Sequence, residues 1–370
     1  TLTAIPGEAA AAKYASISQE ILRAIEKGNE YLKSKQNPEG YWAQPSYPAL
    51  TALAVTAYMR DPANQGKPVP EYIRKGYDFI LKSQKEDGSI FNRGMSSYNT
   101  AVCMMALLAA NKEEYAPAIL KGRAYLIKQQ NHFAPDNPYN GGIGYGDKQA
   151  PPIADLSNTS LALEAIYYSQ KLAKDGKYGE QPDLDWNAAT EFINRCQQNP
   201  AVNKEPWVSN DKSQLGGFVY RPGVASARDS KSAAFDKAEP PRAYGSMTYA
   251  GMQSLIYANV DKNDPRVKLA LKWLENSYNL DENPGMGVQG LYYYYQAMSK
   301  ALSAMGIDTL TLEDGRKVDW RDELANKLIS IQKSDGSWVN TNNRWWEADP
   351  VLVTSYCVLA LEQLYHSIPR

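Results

Sequence analysis

The chain contains a repeated unit of two helices, and this repeat constrains the fold more than any other feature. Three stretches share one plan: an amphipathic helix end, a glutamine, a polar turn, a glycine, and then a large apolar residue. They read YLKSKQNPEGYW, FILKSQKEDGSI and LISIQKSDGSW. The step is the same six residues from Gln36 to Trp42, from Gln84 to Ile90 and from Gln332 to Trp338. With three weaker copies the sequence contains six units, which indicates a repeat architecture.

A second helix follows each glycine turn, and its sequence is apolar nearly all round, as in YPALTALAVTAYM. Such helices are buried on several sides, whereas the preceding helices, such as PEYIRKGYDFILKSQ, carry charge on one face and form an outer layer. Five inner helices have a threonine near the start, where a hydroxyl is expected to cap the helix. These threonines are Thr51, Thr100, Thr159, Thr248 and Thr354.

Six outer and six inner helices predict an all-α fold, the (α/α)6 toroid, as a single domain over residues 1–370. Stacked repeats need polar caps unless the ring closes, and neither end of the chain has the sequence of a cap. A segment at about 200–242 lies between an outer and an inner helix. It is too long for a plain connector, so we expect a loop over one mouth of the ring.

Charge and hydropathy exclude several classes of partner. The 40 basic and 41 acidic residues nearly cancel, so the chain lacks the basic field that nucleic-acid binding requires. No apolar run approaches the roughly 20 residues of a membrane-spanning helix.

The chain begins without methionine, from which we predict export after removal of a leader. The alternative is a cytoplasmic protein. The expected partner is a small molecule or a glycan, and the oligomeric state is not indicated.

The residue counts also bear on the site. Three cysteines are too few for a disulfide framework or a thiolate metal cage, although one disulfide is possible, and no cofactor or metal is expected. The chain has 26 tyrosines and 8 tryptophans against 6 phenylalanines. Because tyrosine and tryptophan combine an apolar ring with a polar atom, they suit the walls of a cavity.

The glutamine, acidic residue, glycine and tryptophan of IQKSDGSW resemble the QW-type repeat of the squalene cyclase and protein prenyltransferase superfamily. The resemblance covers nearly the whole chain. It implies a single-barrel, bacterial-type terpenoid cyclase-like toroid in which the repeated glutamines and aromatic residues are structural. It also implies an isomerase or lyase of the terpene cyclase type, acting on an isoprenoid or another apolar substrate.

The protonation motif of the cyclases is only partly present. Family members use the middle aspartate of Asp-x-Asp-Asp-Thr at an inner-helix start, and DLSNT at Asp155–Thr159 falls on this motif. Ser157 stands in the donor position and Asn158 in the place of the last aspartate. A serine hydroxyl is too weak an acid to protonate an alkene. Squalene cyclases also pair two toroids, and this chain has residues for one.

The other sites of the superfamily are not matched. Prenyltransferases hold zinc with an aspartate, a cysteine two residues later and a distant histidine, and no cysteine here has that spacing. Complement-like thioester domains share the toroid but need a cysteine beside Gly-Glu-Gln. The sequence contains no such motif.

The starts of the inner helices converge on one mouth of a toroid, so the polar and aromatic residues found there are candidates for one pocket. Helix N-termini directed at one place also favour an anion or an oxyanion. Each residue taken alone is equally explained by helix capping or core packing. The candidate catalytic groups are Asp155, Glu347 and Asp349, and the candidate binding residues are Tyr98, Asn99, Ser157, Asn158, Tyr244, Tyr292, Arg344, Trp345 and Trp346.

Two classes of function remain open, with a purely structural binding role as a third. In the first, an isoprenoid is transformed in an aromatic pocket, with Asp155 or Asp349 as the acid. In the second, a secreted lyase, hydrolase or binding protein acts on glycans, since these proteins also use α/α toroids. An apolar closed cavity would favour the first, and an open groove with carboxylates roughly 5 to 10 Å apart would favour the second.

Overall fold

The computed structural model of the protein describes residues 6–146, 153–223 and 240–368, with side chains from residue 14 onwards. These residues form twelve α-helices and one two-stranded hairpin. The outer helices are α1 (Pro6–Ser34), α3 (Glu71–Lys82), α5 (Ala116–Lys128), α7 (Trp186–Cys196), α9 (Pro265–Asn276) and α11 (Trp320–Ile331). The inner helices are α2 (Pro48–Arg60), α4 (Ser96–Ala109), α6 (Leu156–Lys174), α8 (Gly245–Tyr257), α10 (Leu291–Met305) and α12 (Pro350–Ser367).

The inner helices form a closed ring. Each packs against the next along the chain, and α12 returns to pack against α2. In the outer layer, α1 contacts α11, so the two ends of the described chain meet. The predicted all-α toroid is therefore confirmed, and closure of the ring removes the need for polar caps.

Each repeated glutamine ties its own turn to the neighbouring outer helix. In the second unit, Gln84 and Ile90 form an antiparallel bridge across the turn. The Gln84 Nε2 donates to the Gly88 carbonyl at 3.1 Å and to the Ala118 carbonyl of α5 at 2.9 Å. The same pair of bonds, to a turn glycine and to a backbone carbonyl at or near the next outer helix, recurs at Gln36, Gln130, Gln197 and Gln332.

The turn requires a glycine for two reasons, namely the backbone conformation at this position and the close approach of the next outer helix. Gly88 has a φ of +91°, and a Cβ placed there would lie 2.2 Å from the Lys121 carbonyl oxygen of α5. A side chain at this position would push the turn away from the outer helix that the glutamine binds. The repeat is thus a backbone-to-backbone joint between units.

The five threonines do not cap their helices, so that prediction is wrong. Thr159 is already the fourth residue of α6, and its Oγ1 accepts a hydrogen bond from the Ile143 amide at 2.9 Å. The hydroxyl also donates to the Asp155 carbonyl at 2.7 Å. The other four threonines likewise accept from the amide of the large residue that follows each glycine turn. They hold the turn against the inner helix, one turn beyond the cap.

The remaining connections add little regular structure. Between α10 and α11, strand β1 (Leu310–Thr311) pairs antiparallel with β2 (Lys317–Val318). The cysteines Cys103, Cys196 and Cys357 are all buried and free. Residues 224–239 of the predicted insertion lie outside the described residues, so the expectation of a loop over a mouth stays a prediction there.

Candidate functional site

A cavity of about 580 Å³ opens at the mouth where the inner helices begin, and we call it the front cavity. Its volume is in the range of ordinary ligand pockets, roughly 300–1,000 Å³. Six tyrosines and two tryptophans dominate the described wall. The lining residues are Met95, Tyr98, Tyr145, Ser157, Asn158, Leu161, Tyr220, Tyr244, Ser246, Met247, Tyr293, Asn343, Arg344, Trp345, Trp346, Glu347, Leu352 and Tyr356.

The structure brings eight of the twelve candidate residues together in this wall and places the other four behind it. Asn99 caps α2, because its Oδ1 accepts from the Ala49 amide at 3.0 Å. Asp349 caps α12 by accepting from the Val351 amide at 2.8 Å. The side chain of Tyr292 bonds to a backbone carbonyl outside the cavity, and its neighbour Tyr293 lines the cavity instead. The fourth residue is Asp155.

Asp155 is a buried carboxyl group directly behind the wall, with 2% of its surface exposed. It caps α6, since its Oδ1 accepts from the Asn158 amide at 2.8 Å, and its Oδ2 accepts from Asn158 Nδ2 at 2.8 Å. Burial raises the pKa of Asp155 to about 6, against the opposing effects of these bonds and of the Arg221 charge. The group can therefore take up or release a proton near neutral pH.

Two tyrosines connect Asp155 with the front cavity. The Tyr220 hydroxyl lies close enough to the Asp155 carboxyl group to oppose the rise in its pKa, and it donates to the Tyr145 hydroxyl at 3.3 Å. Both tyrosines line the cavity. Desolvation of the hydroxyl raises the pKa of Tyr145 to about 12, so the phenol stays protonated at neutral pH. Two tyrosine hydroxyl groups thus lie between the buried carboxyl group and the cavity.

Glu347 lies in the wall, but its carboxylate is occupied by backbone donors. Its Oε1 accepts from the Tyr293 amide at 2.8 Å, and its Oε2 accepts from the Tyr292 amide at 3.3 Å and from Asn340 Nδ2 at 2.7 Å. Since the N-cap residue of α10, Gly290, has no side chain, Glu347 caps that helix from the last repeat. Burial raises the pKa of Glu347 above its usual range. The arrangement favours a structural role.

The floor of the front cavity is made by Tyr98, Leu161, Tyr293 and Tyr356, which also line a smaller cavity on the far side. The rings of Tyr293 and Tyr356 pack against each other with their centroids 5.9 Å apart, and the Tyr98 and Tyr356 hydroxyls lie close enough for each to affect the pKa of the other. These side chains form a partition across the axis of the ring.

The smaller cavity, of about 80 Å³, is called the rear cavity. Lys300 of α10 reaches past α8 to Glu164 of α6, where the Nζ–Oε2 distance is 2.5 Å. Both residues and Arg60 line the rear cavity. The ion pair joins two inner helices that are not neighbours in the ring, and it therefore crosses the axis below the tyrosine floor.

The rim of the front cavity carries backbone strain. Met95, Trp345 and Trp346 have φ values of +50°, +53° and +64°, in the left-handed region that bulky residues avoid. Such conformations cost on the order of 1–3 kcal/mol each and cluster at binding sites. Trp345 and Trp346 are still 39% and 38% exposed, and the ring of Trp346 packs against Tyr47 at a centroid distance of 4.7 Å with a tilt of 44°. Both indoles are thus partly exposed at the entrance.

Several wall residues could not be found from the repeat. Tyr145 and Tyr220 lie in loops that meet the inner helices only in the folded ring, and Met95 precedes α4. Tyr356 did have a signal, because it lies seven residues after Asp349, two helical turns along the same face.

Within the described ranges, no group of three or more histidine, cysteine, aspartate or glutamate side chains is placed to hold a metal ion. None of the helices in that part of the chain combines the length and the apolar character needed to cross a bilayer.

The chain is similar in structure to proteins of three different activities, while no known family model matches its sequence. The type II terpene cyclase MstE from Scytonema superposes with a TM-score of 0.56 at 11% identity, over 95% of this chain and 99% of its own. The fold that the two proteins share is the α/α toroid. Protein geranylgeranyltransferase-I of Candida albicans gives a TM-score of 0.57 at 14% identity, over 92% of this chain and 91% of its own.

A glycoside hydrolase shares the same toroid. The GH76A α-1,6-mannanase from Salegentibacter sp. HEL1_6 gives a TM-score of 0.57 at 10% identity, over 94% of this chain and 99% of its own. Because cyclase, transferase and mannanase all have this fold, the activity has to be argued from the front cavity.

Proposed function

We propose that the protein is an enzyme of the terpene cyclase type that binds an isoprenoid in the front cavity and moves a proton from Asp155. The observation that carries the proposal is a tyrosine-walled cavity whose hydroxyls lead to one buried carboxyl group with a pKa of about 6. Aromatic faces stabilise positive charge as it develops along an isoprenoid chain. Two of the structural neighbours are a terpene cyclase and a protein complexed with GGPP, which supports an isoprenoid.

The substrate group that accepts the proton is an oxygen rather than an alkene carbon. A carboxyl group with a pKa of about 6 is too weak an acid for an isolated double bond, and Ser157 supplies no stronger one. An epoxide oxygen is more basic. The carboxyl proton passes to Tyr220, the Tyr220 proton to Tyr145, and the Tyr145 proton to the epoxide.

The rest of the reaction balances as an isomerisation. As the epoxide C–O bond breaks, the π electrons of a neighbouring double bond form the new C–C bond and leave a carbocation. The cation loses one proton to water, and the Asp155 carboxylate regains one from solvent through the same two hydroxyls. One proton enters and one leaves, so the product has the mass of the substrate.

Glycoside hydrolysis is less well supported. That reaction requires two carboxyl groups facing the sugar, roughly 5 to 10 Å apart. In the described part of the wall the one carboxylate is Glu347, and its oxygens are taken by the α10 amides and Asn340. The exposed indoles of Trp345 and Trp346 suit a sugar ring, so a glycan panel is a necessary arm of the test.

The test is incubation with squalene, 2,3-epoxysqualene, a terminal epoxide of a geranylgeranyl compound, and mannan oligosaccharides, with products identified by mass spectrometry. We expect a cyclised isomer from an epoxide, formed more slowly as the pH rises above about 6 because Asp155 ionises. Asp155→Asn should lower the rate by roughly 100-fold or more. Asp349→Asn is the matched control, since it also changes the cap of an inner helix.

Three results would contradict the proposal. The first is cleavage of a glycan. The second is turnover of an isoprenoid that Asp155→Asn leaves unchanged. The third is the absence of turnover and of binding for every isoprenoid tested.

A further inference from the structure

Arg344 is the cation of the front cavity wall, and its guanidinium group is held in place by an aromatic ring. The group stacks over Trp345 with 4.9 Å from Cζ to the ring centroid. It is close enough to Tyr244 for its charge to oppose the burial that raises the pKa of that tyrosine. Among the described residues no carboxylate forms an ion pair with Arg344. Its fork of N–H donors is thus oriented and available.

The surroundings of Arg344 favour negative charge. Glu347, the neighbouring carboxylate, faces the amides of α10, and Asp155 lies behind Asn158. Helix α4 begins at this cavity without a side-chain cap, so its partial positive charge adds to that of Arg344. The wall therefore combines an apolar floor with a positive rim.

We propose that the isoprenoid ligand carries a carboxylate head group that pairs with Arg344 while its chain extends to the tyrosine floor. This inference rests on the proposed function. One guanidinium group matches one negative charge in bidentate geometry. A diphosphate carries more charge than the described wall can balance, since Arg344 is its single cation and no metal-binding cluster is found in the described ranges.

The test measures binding at pH 7.5 by calorimetry, using geranylgeranoic acid, geranylgeraniol and geranylgeranyl diphosphate as probes. The acid should bind roughly 10- to 100-fold more tightly than the alcohol, the range expected for hydrogen bonds to a charged group. Arg344→Gln should remove that difference and leave the affinity for the alcohol unchanged. Arg344→Lys should keep part of it, because the charge remains but the fork is lost.

Two controls keep the result interpretable. Arg74→Gln changes an exposed arginine on the outer helix α3 and should leave both affinities unchanged. In the unmodified protein, raising the salt concentration should weaken binding of the acid and not of the alcohol. This second measurement stands even where the Arg344 variants fail to fold.

The outcomes separate this inference from the proposed function. Equal affinity for acid and alcohol in the unmodified protein would overturn the head-group assignment and leave an isoprenoid site intact. The same follows if Arg344→Gln weakens both ligands alike, or if the diphosphate binds much more tightly than the acid. Failure of all three probes to bind would overturn the proposed function as well.

Discussion

Replacing Asp155 by asparagine should change how the stability of the protein depends on pH. The substitution keeps the helix cap, because an amide oxygen can still accept from the Asn158 amide. It also keeps the side-chain contact, since the Oδ1 of Asn158 has no partner and the amide can turn to accept from the new NH₂ group. What the variant loses is the ionisable carboxyl group, and with it that group's effect on the pH dependence of stability.

The size of the effect follows from the burial of the carboxyl group. Burial raises the pKa of Asp155 from 3.8 to about 6, so the folded protein binds the proton more tightly than the unfolded chain. Its contribution to stability is complete below pH 4 and is lost as the pH rises through 6. At about 1.4 kcal/mol per pKa unit, the loss between pH 4 and pH 7 is about 2–3 kcal/mol.

The assay is urea denaturation at several pH values from 4 to 7 for the unmodified protein and for Asp155→Asn. Between pH 4 and pH 7, the free energy of unfolding of the unmodified protein should fall by about 2–3 kcal/mol more than that of the variant. Ile166→Val, which replaces one buried apolar residue of α6 by another and removes no titratable group, should give a curve parallel to that of the unmodified protein. Parallel curves for Asp155→Asn as well would refute both the raised pKa and the acid role built on it.

Three further predictions concern the joint between repeats, the cap of α10 and the floor. Gly88→Ala should destabilise the protein by more than Gly66→Ala, because both glycines have positive φ but a methyl group meets the α5 backbone only at Gly88. Thermal unfolding measures the difference, and equal losses of stability would contradict the role given to the α5 contact. Glu347→Gln should lower the free energy of unfolding by about 2 kcal/mol in urea denaturation, since a buried charged acceptor of backbone hydrogen bonds is lost. Glu282→Gln, at an exposed position, is the control, and an equally small loss in both variants would argue that Glu347 does not cap α10. Tyr356→Ala should join the front and rear cavities and shift binding toward longer isoprenoid acids. Calorimetry over a series of chain lengths measures this shift, and an equal loss of affinity at every length would show that the floor does not limit chain length.

The fold was predictable because the repeat encodes a backbone joint. The six-residue step from Gln84 to Ile90 is an antiparallel bridge, and the glycine between them is required by the approach of the next helix. The glycine contact recurs in five units and the six-residue step in three, so the pattern is visible without a structure. The closure of the ring, in which α12 packs against α2, was predictable because neither end of the chain has the sequence of a polar cap.

The site was only partly predictable, because its walls come from loops as well as helix starts. Ser157, Asn158 and Tyr244 were identified since they occupy equivalent inner-helix positions. Tyr145 and Tyr220 reach the cavity from connections that the repeat does not describe. The error over threonines had another cause, namely that a hydroxyl one turn into a helix resembles a cap in sequence.

The role of Glu347 likewise depends on the folded ring. Its position before α12 suggested an acid in the cavity, and in the structure its carboxylate serves the neighbouring helix α10 across the repeat boundary. The sequence alone does not show which of two adjacent helices a carboxylate will cap. The same limit applied to Asn99, which caps α2 from the start of α4.

A crystal structure of the protein with geranylgeranoic acid tests the central claim most directly. The account predicts an isoprenoid chain inside the front cavity, in contact with Tyr98, Tyr293 and Tyr356, with the carboxylate at Arg344. An empty front cavity in crystals grown at saturating ligand, together with a mannan oligosaccharide stacked on Trp345 and Trp346 in a parallel experiment, would contradict it.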